Sequence, residues 1–559
     1  MNIKLPLLLF LFTSLLLLAS CSLFGSSPAP SPTPSPAPSP TPMLANADVL
    51  YVVAEEDQDG TWTFHVTVSH PDTGWEDYAD GWDLVLPDGT VLLPDAGSSF
   101  TRTLTHPHET EQPFTRSQTG IIIPEGVDVV TARAHDIVDG FGGKMVTVFL
   151  NQSNGLDFEV RRLSSDQEAP VLGFTNQRPD GNRYQNGTID LPNSQPIDIP
   201  LDGVPGWVTG IPDEDGSTVW VAALQDGRLQ GFRISGREIT PVELSSDNLP
   251  AGMPPAILQE KEVEILNDRA PNLAEFTHPI LTTAGSLAFI NGNGQLVIWG
   301  ENINQAKQLD ALRDARVLSD GNGKLLLLTS RTSVYEHGVL GDSVEAKSVT
   351  VVSEAGEILE SITLFSDQVI EGIAPIWVDM NDDGQREIIL TLSNRRDGAQ
   401  LAVFSETGEQ IAQSEAIGTG FRWRHQIAVA PFGPNRETEL VDVLTPHLGG
   451  VVEFFRLEGN TLVKVAEVSG YTSHVINSRN LDLAIAADFN ADGRVDLLLP
   501  NQRLTHLGII QRTVDGAAVV AEIALEGNLS SNLAAVPLPG GMLALAAGLD
   551  SSLLRVWLP

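Results

Sequence analysis

Two short acidic ladders are the residues best spaced to do chemistry. In "IAADFNADGRVDLLLP" (485–500), Asp488, Asn490, Asp492 and Asp496 take positions 1, 3, 5 and 9 of a loop, with Gly493 at position 6. "IWVDMNDDGQREIIL" (376–390) repeats the spacing with Asp379, Asn381, Asp383, Gly384 and Glu387. Alternate residues of a tight loop point inward, so the oxygens at 1, 3 and 5 converge, and glycine at 6 permits the sharp turn. Calcium is a hard cation that takes six to eight oxygens at about 2.3–2.6 Å. The acid at 9 closes such a shell, and position 7, here Gln385 or Arg494, is where a backbone carbonyl serves. Without an ion, carboxylates this close repel one another. Nitrogen and sulfur ligands are missing from both loops, which argues against zinc or copper there. The competing reading is a pair of Asp-rich turns whose side chains cap backbone amides.

Such loops need strands to hold them. From about residue 200 onward, short apolar or alternating segments follow one another with almost no helical period: 217–224, 285–290, 324–330, 387–393, 439–445, 495–500 and 542–548. Most are followed by a second strand and a turn at glycine, as at Gly356, Gly408, Gly459 and Gly516, roughly 50–57 residues apart. A period of that size with about four strands per unit is the signature of a β-propeller. Counting the apolar segments as inner strands predicts seven blades, with six or eight as alternatives and an array of β-sandwiches as the competing architecture. The chain ends at "LLRVWLP", too soon after the last apolar segment to finish a blade. Either 169–174 or 195–201 is expected to complete it and remove the exposed sheet edges. The two ladders lie two periods apart. Between them, "VAPFGPNRETELVDVL" (429–444) has lost the acids, and "DEDG" (213–216) reads as another eroded copy.

Ladders of the form D-x-N-x-D-G-x-x-[DE] entering a strand resemble the FG-GAP or VCBS repeats of bacterial surface proteins, whose fold also forms the integrin α-subunit N-terminal propeller. The resemblance covers roughly 200–559 and is strong only in the two loops. It implies two structural calcium sites, with ligands Asp379, Asn381, Asp383, Gln385 and Glu387 in one and Asp488, Asn490, Asp492, Arg494 and Asp496 in the other. Residues 385 and 494 would act through their backbone oxygens.

Residues 47–152 differ in character. About seven strands with period-two alternation, as in Trp62, Phe64, Val66 and Val68, fit an immunoglobulin-like sandwich. Residues 153–168 read as a connector and 169–559 as the propeller. The sandwich holds five of the eleven histidines. His106 and His108 lie on one side of an extended segment, and His135 could join from a neighbouring strand as a transition-metal or ligand site. Hydrogen-bonded histidines at strand ends are the plainer reading. "GWEDYADGWD" (74–83) interleaves aromatic and acidic residues, as a carbohydrate- or peptide-binding loop or simply an anchored one.

The N-terminus has one lysine, an apolar run from Leu5 to Leu18 and small residues before Cys21. The run is short for a span and suits an export signal covering 1–20. Leu18-Ala19-Ser20-Cys21 resembles the bacterial lipoprotein lipobox, which implies acylation of Cys21, the sole cysteine. Ser22 in place of Asp implies outer-membrane sorting in a cell with two membranes. Residues 21–46 then form a spacer, whose Pro-Ser-Ala-Thr alternation favours extended chain about 50 Å long. The formal charge of −39, from 72 acidic and 33 basic residues, argues against nucleic acid as a partner.

The expected function is a membrane-anchored binding, adhesion or scaffold module for protein or polysaccharide. The alternative is a secreted propeller enzyme of glycosidase, lyase or quinoprotein type. No serine elbow, zincin helix or phosphate loop is present. A deep central funnel with convergent acids or histidines would favour the enzyme, and a shallow face with exposed aromatics the binding module.

Overall fold

The computed structural model describes residues 46–559 apart from 57–59, 96, 110–111, 125, 153, 163–170, 174–178, 214–215, 260–261, 301–302, 366 and 382. Cys21, the export signal and most of the spacer lie outside the described residues. The described chain is all-β, with one short 3-10 turn at Leu266–Arg269. Among the described residues no helix is long and apolar enough to cross a membrane.

The N-terminal part is a two-sheet sandwich. In one sheet Asp48–Glu56 pairs antiparallel with Trp62–Ser69, which pairs onward with Phe114–Ile121. In the other, Ala79–Val85 pairs with Val129–Asp136, whose burial alternates residue by residue. Val52, Phe64, Val66, Trp82, Leu84, Val130 and Ala132 meet in one core. The sandwich runs past the expected boundary at 152. Phe158–Arg162, expected in a connector, adds in parallel to Asp48–Glu56. Phe158 and Val160 alternate into the core, which is why this stretch is a strand.

The remainder forms successive four-stranded antiparallel units, the arrangement of a β-propeller. Six are continuous: 205–242, 280–308, 318–363, 376–413, 424–469 and 485–524. The seventh, 529–557, has three strands of its own and gains a fourth from Ile197–Pro200, with Ile197 opposite Val556. Segment 195–201 is therefore the piece that completes the last unit. Val171–Gly173 instead pairs with Ile257–Gln259. With Val263–Ile265 this makes a three-stranded sheet wedged between the first and second units, against Val219 and Val221 on one side and Leu287 and Phe289 on the other. At the seam between the first and seventh units, the Asn532 amide accepts from Val208 N at 2.8 Å and donates to Val208 O at 2.8 Å.

One expectation is corrected. The seven apolar segments are not the innermost strands but the second strand of each unit, as in Thr218–Leu224, Lys324–Thr332 and Glu387–Asn394. The second strand has sheet on both edges and neighbouring units on both faces, so every position is apolar or paired. The first strand of each unit faces the hub.

A peptide fills that hub. Residues 179–188 touch the first strands of four units in turn. Ser319 N donates to Pro179 O at 2.8 Å and Trp377 N to Asp180 O at 2.8 Å. The Asn182 side chain pairs with both Val429 N and Val429 O, and Ala486 N donates to Arg183 O at 3.0 Å.

Candidate functional site

Each acidic ladder links the first strand of its unit to the second. In the fourth unit Asp379 accepts from Asp383 N at 3.2 Å and Gly384 N at 2.7 Å, and Asn381 Oδ1 accepts from Asp383 N at 3.0 Å. Asp383 accepts from Gln385 N at 2.8 Å, and Glu387 from Met380 N at 2.8 Å. The sixth unit repeats every one of these bonds. Asp488 accepts from Asp492 N and Gly493 N, Asn490 from Asp492 N, Asp492 from Arg494 N, and Asp496 from Phe489 N. The glycines sit at φ +83° and +76°, in the left-handed region that glycine alone enters freely. The Arg494 side chain turns away, toward Gln511 and the Arg512 carbonyl, which leaves its backbone for the loop.

The ladder acids are buried in one another's field. Burial pushes Glu387 up to about 7; the Met380 N–H opposes this and the charges of Asp379 and Asp383 add to it. Burial likewise raises Asp488 to about 6 and Asp496 to about 8, the latter with Asp488 and Asp492 adding. The fifth unit shows what an eroded loop does with the same position. Glu439 begins its second strand as Glu387 and Asp496 begin theirs, pairing with Ala430 as they pair with Val378 and Ala487. Glu439 is held by Arg512 Nε at 2.8 Å and Arg456 at 2.7 Å. Among the described residues neither Glu387 nor Asp496 has an ion-pair partner; Gln511, an amide, reaches Asp496 at 3.1 Å. Two arginines meet the acid of the eroded loop where the corresponding acids of the intact loops have none, and an oxygen-only donor set is the kind calcium takes.

Both ladders face the sandwich. Gln152 Nε2 donates to Gly384 O at 2.5 Å, and Arg386 donates to Asn154. Arg436 bridges Gly493 O at 2.9 Å and Asp48 at 3.3 Å. A cavity of about 140 Å³ lies beside the second ladder, lined by Leu50, Thr115, Tyr184, Asp488 and Gly541 among others.

The hub holds a buried charge cluster. Asp482 accepts from Arg183 at 2.9 Å and Arg316 at 2.6 Å, and all three are almost fully buried. Burial alone would raise Asp482, but the two guanidinium groups outweigh it and hold it at about 2. The hub peptide and this triad occupy the place where a funnel would run.

At the opposite end of the ring, loops from the third to sixth units converge. Glu371 is buried and accepts short hydrogen bonds from His337 and Ser393. Phe421 lies 5.2 Å from Tyr335 and 5.6 Å from His337, between ring centres. Trp423 stacks on His425 and meets His474 edge-on. Around them Val334, Phe421, Leu448, Val475 and Ile476 are exposed, Leu448 to 68%. No local motif marks these residues. They come from separate turns, and packing of neighbouring units brings them together.

The three histidines singled out in the sandwich have different surroundings. His108 is buried and stacks on Phe114, His106 lies edge-on to His108 with ring centres 4.5 Å apart, and His135 Nδ1 pairs with Asp80 at 2.5 Å. In the loop 74–83, Trp75 is exposed and packs edge-on against Tyr78, whereas Trp82 is a core residue.

No family model matches the chain. A protein named "Putative lipoprotein" from Halomicrobium mukohataei is 37% identical over 105 residues, 19% of this chain. The chain spans about half (48%) of that relative's length. Among solved structures, the WD40 domain of Toxoplasma gondii coronin aligns at 8% identity and TM-score 0.34, covering 67% of this chain and 88% of that one. A europium-containing methanol dehydrogenase aligns at 9% identity and TM-score 0.38, covering 69% and 98%.

Proposed function

We propose that this chain is a lipid-anchored envelope protein whose calcium-stiffened propeller is a binding or scaffold module for protein or polysaccharide. The observation that carries the binding reading is the loop face of Phe421, Leu448 and Ile476. Those apolar side chains stand exposed around His337 and the buried Glu371 it pairs with, on the end of the ring not covered by the sandwich. Clustered exposed apolar groups with polar neighbours mark interaction surfaces. The filled hub supports binding at a face over chemistry in a channel. Cys21 in its lipobox and the name of the 37%-identical relative support the anchor. Several acyl chains together hold a protein stably at a membrane. Calcium in the two ladders would stiffen the end of the ring that meets the sandwich, with Asp379, Asn381, Asp383 and Glu387, and Asp488, Asn490, Asp492 and Asp496, as side-chain ligands. The carbonyls of Gln385 and Arg494 would complete each shell.

The test pairs the full-length chain with a Phe421→Ser/Leu448→Ser/Ile476→Ser variant on arrays of envelope polysaccharides and in cross-linking of intact cells. The expected result is a polysaccharide or protein contact that the variant loses while its unfolding midpoint stays unchanged. Equal capture by both chains, or turnover of the captured ligand, would overturn the reading. Loss of detergent-phase partitioning in Cys21→Ala tests the anchor separately.

A further inference from the structure

The sandwich carries a second, chemically different cluster that neither ladder explains. His70 follows directly on the strand Trp62–Ser69, and Asp136 ends the strand Val129–Asp136. The loop between His70 and Ala79 folds back so that Ala79 pairs with Asp136. This brings one ligand atom each from His70, Asp77 and Asp136 within 4.8 Å of one another.

Asp72 organises the loop. Its Oδ1 accepts from His70 Nδ1 at 2.7 Å and from Ala79 N at 3.1 Å, and its Oδ2 accepts from His108 N at 2.6 Å. With Nδ1–H committed to Asp72, His70 presents the lone pair of Nε2 toward Asp77. A carboxylate that fixes the tautomer and orientation of a histidine in this way is the usual outer partner of a metal-ligating imidazole. His70 Nε2 and Asp77 Oδ1 are 3.7 Å apart. That is long for a hydrogen bond but near the separation of two ligands each about 2.1 Å from one ion.

The second observation is an uncompensated buried carboxylate. Asp136 is fully buried. Its Oδ1 accepts from Val138 N at 2.9 Å and Asp139 N at 2.6 Å, while its Oδ2 is buried with no hydrogen-bond partner. The Asp72 side chain is buried as well, and among the described residues Asp72, Asp77 and Asp136 form ion pairs with histidine only or with nothing. No lysine or arginine among the described residues stands within ion-pairing distance of these three carboxylates. Asp77, with its side chain 40% exposed, leaves one side open to an entering ion and its water.

We propose that His70, Asp77 and Asp136 form a site for a first-row divalent transition cation, with zinc as the probe ion, Asp72 as the positioning residue and water completing the shell. One imidazole nitrogen with two carboxylates suits zinc or manganese better than the oxygen-only ladders do. The ion would clamp the aromatic loop 74–83 to the end of the strand Val129–Asp136.

The experiment strips the full-length chain with chelator, restores 1 mM calcium, titrates zinc and counts bound zinc by mass spectrometry after desalting. The wild type is expected to hold one zinc per chain. His70→Gln and Asp77→Asn should each weaken binding about tenfold or more, and Asp72→Asn by about 10–100-fold. Cobalt in place of zinc should give visible d–d absorption that His70→Gln abolishes. Asp77 is partly exposed, so Asp77→Asn should keep the wild-type unfolding midpoint without metal, which separates lost ligation from lost folding. No zinc on the wild type would reduce the cluster to a hydrogen-bonded His70 between two aspartates. Unchanged zinc affinity in both His70→Gln and Asp77→Asn would place the ion elsewhere. Either result overturns the proposal.

Discussion

Glu439 and Asp496 hold the same place in adjacent units, each the first residue of a second strand, yet Glu439 rests between Arg512 and Arg456 while Asp496 is met by the Gln511 amide. If calcium does in the intact loops what arginine does in the eroded one, variants of the intact loops must alter the response to chelation and a variant at Glu439 must not. Asp383→Ala and Asp492→Ala should each remove part of a calcium-dependent rise in the unfolding midpoint. A site filled at 100 times its Kd contributes about 2.7 kcal/mol. Glu439→Gln should lower the midpoint equally with and without calcium, because it leaves two guanidinium groups poorly paired. Thermal unfolding of the variants with calcium and with chelator checks both.

The hub triad gives a second prediction. Asp482→Asn leaves Arg183 and Arg316 buried against each other without their shared carboxylate. Removing one partner of a buried ion pair costs about 3–5 kcal/mol. Urea unfolding should show that loss, and Arg183→Met, which removes one charge and keeps the packing, should cost less.

Acid should destabilise the ring through its buried histidines. Burial pushes His474 down to about 4, with the Ser478 carbonyl opposing and His447 adding, and pushes His278 down to about 4. The unfolded chain then binds more protons than the folded one between about pH 4 and 6.5. The stability these residues contribute is complete above pH 6.5 and is lost as pH falls toward 4, up to about 3 kcal/mol each. Glutamine at 474 can still donate to Ser478 O but does not titrate. His474→Gln should therefore flatten the fall in urea midpoint between pH 7 and pH 4.5, and identical slopes would show that His474 is not held neutral.

Gly384 couples a ladder to the sandwich. At φ +83° an added methyl is strained, and it would also stand 2.7 Å from the Phe149 ring. Gly384→Ala should cost more than about 1 kcal/mol and raise hydrogen exchange on both sides of that contact. Gly60→Ala, at a similar φ but in open space, should show the backbone cost alone.

The repeat and its closure were legible because each unit buries a full strand and therefore writes an apolar segment at a regular interval. The sequence left 169–174 and 195–201 as alternatives for the closing strand; pairing of Ile197–Pro200 with the last strand selects the second, whose Ile197 and Ile199 are buried between exposed neighbours. The same regularity misled the choice of innermost strand. Apolar density tracks how enclosed a strand is, and the second strand is enclosed more than the one facing the hub. The ladders were legible since all their acid and amide side chains lie within nine residues. The hub peptide and the Arg183–Asp482–Arg316 triad were not, because each joins residues more than a hundred positions apart, nor was the Phe421 face, whose residues meet only when neighbouring units pack. In the sandwich, the His-x-His spacing drew attention to His106 and His108, while His70 and Asp136 are neighbours only through strand pairing.

Calcium stoichiometry is the most direct test of the central claim. Calorimetric titration of the chelator-stripped full-length chain should find two more calcium ions on the wild type than on an Asp383→Ala/Asp492→Ala variant, and one more than that double variant on each single variant. A wild type that binds no more calcium than the double variant would make the ladders Asp-rich turns and leave the ring without its rivets.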